Sequence, residues 1–587
     1  MDILGISCFY HDAAACLLRD GHLVAAAEEE RFSRRKHDSG FPEQAIRYCL
    51  EVGEVVPEEL DHVVFYEKPL LKFERIASSY AASFPRSRGV FVRAMQTWLG
   101  DKLWIRGQIR KQLGYSGAVL FGEHHLSHAA SAYFPSPFQE AAVLTADGVG
   151  EWCTTTLGVG RGLELELTHE LHYPHSLGLL YSAFTAYLGF EVNEGEYKVM
   201  GMAAYGRPTY VDQLRKLIHL ADDGSFHLNM RYFAYHRSLR SITGAFVELL
   251  GPPRRAEADL DERYANLAAS IQAVTEDAMV GLARQARRLT GAENLCMAGG
   301  VALNVLANAR VLREAGFREL WVQPAAGDSG GCIGAATHLY HSVLREPRRE
   351  TMDTAYLGPG YTDAEIQAFL REQDIAYTDL QPEQIAPLVA QLVAEGNVVG
   401  WFQGRMEFGP RALGARSILA NPTEPGMKDK VNAKIKHREP FRPFAPSVLR
   451  EAASTYFEFD GPVPDRESPF MLLVAQVRSD KQHLVPAITH VDGTARVQTV
   501  RREQHPLYYD LIEAFGKLTG VPVLLNTSFN VRGEPIVCTP AEAFNSFSHT
   551  DMDYLVLGQA LVPASSKRPL TAYPGAVTVH AGEEVVV

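Results

Sequence analysis

The chain has 587 residues, a hydrophobic content of 46%, a charged content of 22% and a formal net charge of −13. That length exceeds one core and implies two or three domains. The composition is that of an ordinary soluble globular protein, and the acidic balance argues against broad nucleic-acid binding. No run of eighteen apolar residues offers a membrane span, and MDILGIS has no basic segment ahead of its apolar stretch, so no signal peptide is expected. Seven scattered cysteines without a CxxC pair read as reduced thiols of a cytoplasmic protein.

In chain order, DILGISCF (2–9) predicts a first strand, followed by a turn through Tyr10, His11 and Asp12. AAACLL and LVAAAEEE predict a second and third strand, separated by the polar turn RDGH. The stretch from Ala141, AAVLTADGVGEWCTTTLGVGRGLELELTHEL, repeats this plan of strand, Asp-containing turn, strand, Gly-rich turn, strand. A duplicated unit is expected, with a cleft between two facing turns that would take a nucleotide. Helical spacing marks 176–190 and the stretch YANLAASIQAVTEDAMVGLARQARRL. NLCMAGGVALN and ELWVQPAAGDSGG each predict strand, Gly-rich turn and helix; small residues and helix N-termini there favour an anionic ligand. Near residue 345 the polar LREPRRETMDTAYLGPGYTD reads as a linker, giving domains at 1–345 and 366–587 joined by 346–365.

Several side chains are chemically suggestive. His124 and His128 in GEHHLSHAASAYF are four apart, hence on one helical face, and read either as two metal ligands or as solvated histidines at a helix start. Asp147 in ADG and Asp328 in GDSGG read as a turn former and a helix cap, or as oxygen ligands completing a set for iron, manganese or zinc. His11 reads as a turn histidine or a general base. Lys198 lies among glycines without an assignable role. Between Arg405 and Arg450 stand ten Lys or Arg against four acids, a local +6. With Arg496, Ser528 and Asn530, that run reads as a solvated basic face or a second anion site.

The blocks LGISCFYHDAAACLL, EEERFSRRKHD, EHHLSHAASAYF, GEYKVMGMAAYG, GGVALN, GDSGG, FGPRALGARSILA, FRPFAPSV, DGTARVQTV and LLNTSFN occur in this order from residue 2 to about 550. Together they resemble the O-carbamoyltransferases of the NodU/CmcH family, which include the antibiotic-tailoring tobramycin carbamoyltransferase type. The resemblance implies an α/β protein. Its N-terminal domain would be a duplicated actin-like ATPase (ASKHA) domain of the threonylcarbamoyl-transferase branch, and its C-terminal domain a YrdC-like α/β domain. It implies that carbamoyl phosphate and ATP, with Mg²⁺, form carbamoyl-adenylate on Arg416, Lys436, Arg442, Arg496, Ser528 and Asn530. Lys434 and Arg438 stand as alternatives to Lys436 and Arg442. It implies Fe(II) or another divalent transition metal on His124, His128, Asp147 and Asp328, and nucleotide contacts from Gly148, Gly299, Gly300 and Asn304. His11 would activate the hydroxyl of a small-molecule acceptor, releasing AMP. No nucleic-acid or membrane partner is implied, and a homodimer is. Three rival readings are a tRNA threonylcarbamoyl-type transferase, a sugar kinase of the actin-like superfamily and a non-catalytic ATP-driven switch. The acidic chain and the second-domain blocks argue against the first, the two-His site and the second domain against the kinase, and the basic anion site against the switch.

Overall fold

The computed structural model describes residues 1–570 apart from Asp101, Glu257, Pro464 and Asp465. The described residues form two compact units, one of Met1–Glu29 and Ser39–Thr351, the other of Glu30–Asp38 and 352–570.

The first unit contains one topology twice. Strands β1 (Asp2–Ser7), β2 (Ala14–Arg19), β3 (His22–Glu28), β4 (His62–Phe65) and β5 (Val119–Phe121) order as β3-β2-β1-β4-β5. Strands β6 (Glu140–Ala146), β7 (Cys153–Arg161) and β8 (Glu164–His172), a small hairpin of β9 (Ile218–Leu220) and β10 (Phe226–Leu228), and β11 (Asn294–Ala298) and β12 (Glu319–Val322) follow. The second sheet runs β12-β11-β6-β7-β8, the same order reversed on the page. In each copy an antiparallel meander of three strands is extended by two parallel ones. This is the duplicated unit expected from the repeat of apolar strand and Asp-containing turn. Five of the six β1 residues are buried because the sheet is covered on both faces, whereas the edge strand β8 (ELELTHELH) is charged and largely exposed.

Helices His124–Tyr133 and Gly331–His338 lie between the sheets. Their contact is close enough that a Cβ on Gly334 would stand 1.7 Å from the Ser127 carbonyl oxygen, so only glycine fits. Helix Glu262–Thr290 is closed by Asp261, whose side chain accepts the Arg263 N–H, and by Gly291 at φ 68°. A helical insertion, Pro69–Leu113, separates β4 from β5 and has its own small core of Ile76, Tyr80, Ala94 and Trp98.

The second unit is α/β. Its strands are β13 (Thr378–Asp379), β14 (Val399–Phe402), β15 (Arg416–Ala420), β16 (Ala445–Leu449), β17 (Phe457–Phe459), β18 (Val474–Val477), β19 (Thr494–Arg496), β20 (Gln498–Val500), β21 (Val523–Ser528), β22 (Tyr554–Leu557) and β23 (Ala560–Pro563). Eight form a mixed sheet, β13-β23-β22-β14-β15-β21-β16-β20, and β17-β18-β19 a smaller one. Two separate apolar clusters pack against it, one including helices Pro382–Ala394 and Pro506–Thr519.

Two boundaries differ from those read in the sequence. The segment 30–38 was expected in the first domain but packs in the second unit. Arg31 donates to the Gly409 carbonyl, Arg34 to those of Pro535 and Ile536, and Arg34 pairs with Glu542 at 3.3 Å. The expected linker is also anchored at its start, since Arg348 donates to the carbonyls of Tyr133, Phe134, Ser136 and Phe138. Among the described residues no helix is long and apolar enough to cross a membrane.

Candidate metal centre and anion site

The two histidines project from one face of the helix His124–Tyr133 and are wholly buried. Asp147 follows β6, and Asp328 opens the turn before the helix Gly331–His338. One donor atom from each of His124, His128, Asp147 and Asp328 lies within 4.8 Å of the others. His124 Nε2 is 3.2 Å from His128 Nε2, 3.3 Å from Asp147 Oδ2 and 3.6 Å from Asp328 Oδ1. His128 Nε2 is 3.3 Å from Asp328 Oδ1 and 4.0 Å from Asp147 Oδ2. Ligands about 2.1 Å from one ion stand about 3.0–3.4 Å apart, so the four donors fit a divalent transition metal. Two other observations agree. Asp328 Oδ1 is buried and accepts no hydrogen bond among the described residues, and two imidazole Nε2 atoms face each other with no donor between them unless a proton or an ion sits there.

The surroundings hold these donors in place. Gly300 N–H donates to Asp147 Oδ1 at 2.8 Å, leaving Oδ2 for the cluster. Glu67 Oε2 is 3.3 Å from His124 Nδ1 and accepts from Lys72 at 2.7 Å. Glu151 accepts the His124 backbone N–H, and the Tyr66 hydroxyl donates to Asp328 Oδ2. Ser176 caps the helix Leu177–Tyr187 and donates to the Asp147 and Gly148 carbonyls, bracing the Asp147 turn. Burial works against charge on His124, yet Asp328, Asp147 and Glu67 outweigh it and lift its pKa to about 10. Burial would also raise Asp147, but His124 and His128 hold it well below the carboxylate range. The carboxylates thus favour positive charge at the cluster. His125 is turned away: it bonds Thr145 Oγ1 at 2.7 Å, and burial followed by its two neighbours pushes its pKa well down.

His11 lies at the rim. Its Nδ1 is 2.9 Å from Asp12 Oδ2 and its Nε2 3.8 Å from Asp328 Oδ2. Burial disfavours its charge, but Asp328 and Asp12 prevail and raise its pKa to about 9. Gly299 adopts φ +91°, and a Cβ there would stand 2.2 Å from the Ala146 carbonyl oxygen; Gly148 faces open space. Asn304 is held within the protein: it caps the helix Val305–Glu314 through Ala307 N–H and pairs both ways with Gln272.

In the second unit β21 delivers Ser528 and Asn530 to Lys436. Lys436 Nζ donates to the Ser528 carbonyl at 2.7 Å, the Asn530 carbonyl at 2.8 Å and Asn530 Oδ1 at 2.8 Å, and Ser528 Oγ donates to Asn530 Oδ1. Burial, then Arg438, Arg442 and Lys36, push the Lys436 pKa well below its usual value. Arg496 is pushed down likewise, by burial and then by Arg411, Arg438 and Arg442. No carboxylate or carbonyl partner meets the Arg496 guanidinium among the described residues, and its Nε is fully enclosed without an acceptor. Lys434 is exposed and Lys436 buried, while both Arg438 and Arg442 belong to the cluster.

Arg416 is not brought to this cluster. It is wholly buried under Phe402, 3.6 Å from that ring's centre, and donates to the carbonyls of Gln403, Ala415, Pro359 and Gly404. The nearby Glu407 carboxylate accepts the N–H groups of Leu413, Ala415 and Arg416, curling the FGPRALGARS loop around itself. The two Nη groups of Arg416 thus brace this loop, while its Nε is buried without an acceptor among the described residues.

The family model described as "Carbamoyltransferase N-terminus" matches residues 2–337, and that described as "Carbamoyltransferase C-terminus" matches 390–563. The chain belongs to the carbamoyltransferase family. Among its relatives is an uncharacterized protein of Synechocystis sp., 50% identical over 97% of each chain. Another is the nodulation protein NolNO of Sinorhizobium fredii, 39% identical over 96% of this chain and 80% of that one. A third is nodulation protein U of Rhizobium tropici, 30% identical over 91% of both. Among solved structures, HypF of T. kodakarensis aligns over 58% of this chain and 47% of that one at 14% identity, with a TM-score of 0.30.

Within this carbamoyltransferase, the sequence reading missed Glu67 and Glu151, which hold His124, and Lys36, which joins the second-unit cations. Lys36 lies in the quoted block EEERFSRRKHD, so a signal was available; Glu67 stands in YEKP with none.

Proposed function

We propose that the chain is an ATP-dependent O-carbamoyltransferase that makes carbamoyl-adenylate in its second unit and transfers the carbamoyl group to a hydroxyl in its first. The observation that carries the reading is the gathering of cations around Arg496 and Lys436 at the ends of β19 and β21, with the Arg496 Nε enclosed without an acceptor among the described residues. Like-charged side chains are held together there at a cost in stability that an anionic ligand would offset. ATP and carbamoyl phosphate repel each other, and Arg411, Lys436, Arg438, Arg442 and Arg496 supply the positive charge to bring them together. One water takes the phosphate from carbamoyl phosphate. A carbamate oxygen then attacks the α-phosphorus of ATP, and pyrophosphate leaves. Ser528 and Asn530 orient Lys436, whose burial keeps it from water. The YrdC-like reading of this unit belongs to the same proposal.

In the first unit, a divalent transition metal held by His124, His128, Asp147 and Asp328 would supply Lewis-acid polarisation of phosphate oxygens. His11 takes the acceptor's proton at Nε2 while Asp12 fixes Nδ1. The acceptor oxygen bonds to the carbamoyl carbon, the carbon–oxygen bond to phosphate breaks, and AMP leaves. The turn of Gly148, Gly299 and Gly300 lets a nucleotide approach the backbone, and Asn304 sets the helix behind it. The acceptor is a small molecule bearing a hydroxyl, and the reaction is soluble cytoplasmic chemistry.

The test needs no acceptor. The full chain, incubated with ATP, Mg²⁺, Fe(II) or another divalent transition metal, and carbamoyl phosphate, should release pyrophosphate only when carbamoyl phosphate is present. ADP formation independent of carbamoyl phosphate would replace this reading with a kinase or ATPase.

A further inference from the structure

The helical insertion 69–113 carries nine Lys or Arg against two acids, in a chain whose net charge is −13. Some of these cations are exposed at its surface, but three are turned inward. Lys72 is 4% exposed, donates to Glu67 at 2.7 Å and stands 4.5 Å over the Tyr10 ring. Arg75 is 3% exposed and lies 4.8 Å over the Tyr173 ring. It has no hydrogen bond or ion pair among the described residues, and its Nε is enclosed without an acceptor. Lys102, half-buried over Trp98, has no ion pair among the described residues either.

Among the described residues Glu67 is thus the one carboxylate bonded to any of these three cations, and it is already shared with His124. Burying a guanidinium without an acceptor is costly, and buried charges are ordinarily paired. The wall they form adjoins the metal centre: the Tyr10 and His11 rings are 4.7 Å apart, and Glu67 links Lys72 to His124. Burial, followed by the Lys72 charge, lowers the Lys102 pKa to about 8, and Glu67 opposes them only in part.

We propose that Lys72, Arg75 and Lys102 form an oxyanion-binding wall of the first-unit site, with Arg75 as its principal donor, that takes a phosphate, sulfate or carboxylate group of a bound reactant. A guanidinium presents a planar fork to such groups, and Tyr173 holds it flat. Two reactants carry this chemistry: the phosphate of the adenylate, and an anionic substituent on the hydroxyl acceptor. The inference deepens the proposed function by naming what the transfer site recognises beyond the metal.

The experiment compares the full wild-type chain with Arg75→Met, Arg75→Lys and the double variant R75M/K102M. Thermal unfolding is followed in sodium phosphate and in sodium chloride of equal ionic strength. Phosphate should raise Tm further for wild type than for Arg75→Met, the double variant should lose most of the remaining difference, and Arg75→Lys should recover part of it. Without phosphate, Arg75→Met should match or exceed the wild-type Tm, because an unpaired buried charge has been removed. A fall in Tm, or an unchanged phosphate response, would overturn the wall. AMP then separates the sources. A half-saturating AMP concentration at least tenfold higher in Arg75→Met assigns the wall to the adenylate, and an unchanged one with a lost phosphate response assigns it to the acceptor. Wild-type pyrophosphate release is read in parallel; its absence would remove the proposed function while leaving the phosphate comparison standing.

Discussion

His128→Ala tests the metal centre most directly. His128 supplies one of four donors, with Nε2 3.2 Å from His124 Nε2 and 3.3 Å from Asp328 Oδ1. Loss of a residue that merely orients a ligand weakens metal binding about 10- to 100-fold, so loss of a ligand should cost at least ~100-fold, or about 2.7 kcal/mol. The effect on unfolding follows by mass action. Free metal at about 100 times Kd stabilises the wild type by about 2.7 kcal/mol, and the same concentration leaves the variant with about 0.4 kcal/mol. The assay is thermal unfolding of the full chain with and without Fe(II), Mn²⁺ or Zn²⁺, with Kd measured by chelator competition. His125→Ala is the control, since His125 bonds Thr145 and should keep wild-type affinity. His124, with its pKa lifted to about 10, holds a proton below that pH when no metal is bound. Metal must displace that proton, so apparent affinity should tighten as pH rises towards 10. A His128→Ala chain that keeps the full metal-induced stabilisation, or a His125→Ala chain that loses it, would refute the assignment.

Lys436→Met and Arg496→Met should each slow carbamoyl-phosphate-dependent pyrophosphate release at least ~100-fold with the fold intact, since on the proposed function each would remove charge from the anion site; circular dichroism and a pyrophosphate assay check both. Arg416→Met should behave in the opposite way, lowering stability by about 3 kcal/mol because four carbonyls lose a buried charged donor, and denaturant unfolding reads this. Gly334→Ala should weaken metal binding without altering any ligand: its Cβ would drive the helix Gly331–His338 away from Ser127 and carry Asp328 off His128, as chelator competition and Tm would show.

Much of the fold was legible because it rests on local pattern. The two strand–turn–strand repeats began where β1 and β6 begin, since apolar runs bounded by Asp and Gly turns depend on nothing distant. The His124/His128 pair was legible for the same reason, as helical spacing alone puts both on one face. Asp147 and Asp328 are separated in sequence by 181 positions, and their convergence comes from the sheet pairing of β6 with β11 and the helix following Asp328. Spacing cannot give that; the family resemblance did. The placement of 30–38 was illegible because it is decided by Arg31 and Arg34 finding carbonyls some 380 and 500 positions away.

Arginine shows most clearly where sequence runs out. Arg348, Arg416, Arg75 and Arg496 are the same residue type, and all are largely withdrawn from water. Arg348 and Arg416 each meet several backbone carbonyls through their Nη groups, so they brace loops. Arg75 and Arg496 meet rings or other cations and no oxygen among the described residues. An isolated buried charge is unfavourable, so the protein retains those two guanidinium groups at a cost in stability that an anionic ligand would recover on binding. FGPRALGARS made Arg416 look like an anion ligand because Gly and Pro stiffen the turn around it. In the fold that stiffness places the Gln403, Gly404 and Pro359 carbonyls around the guanidinium instead. Whether an arginine serves ligand or frame is therefore set by the acceptors that tertiary structure leaves within reach, a property no window of neighbouring residues encodes.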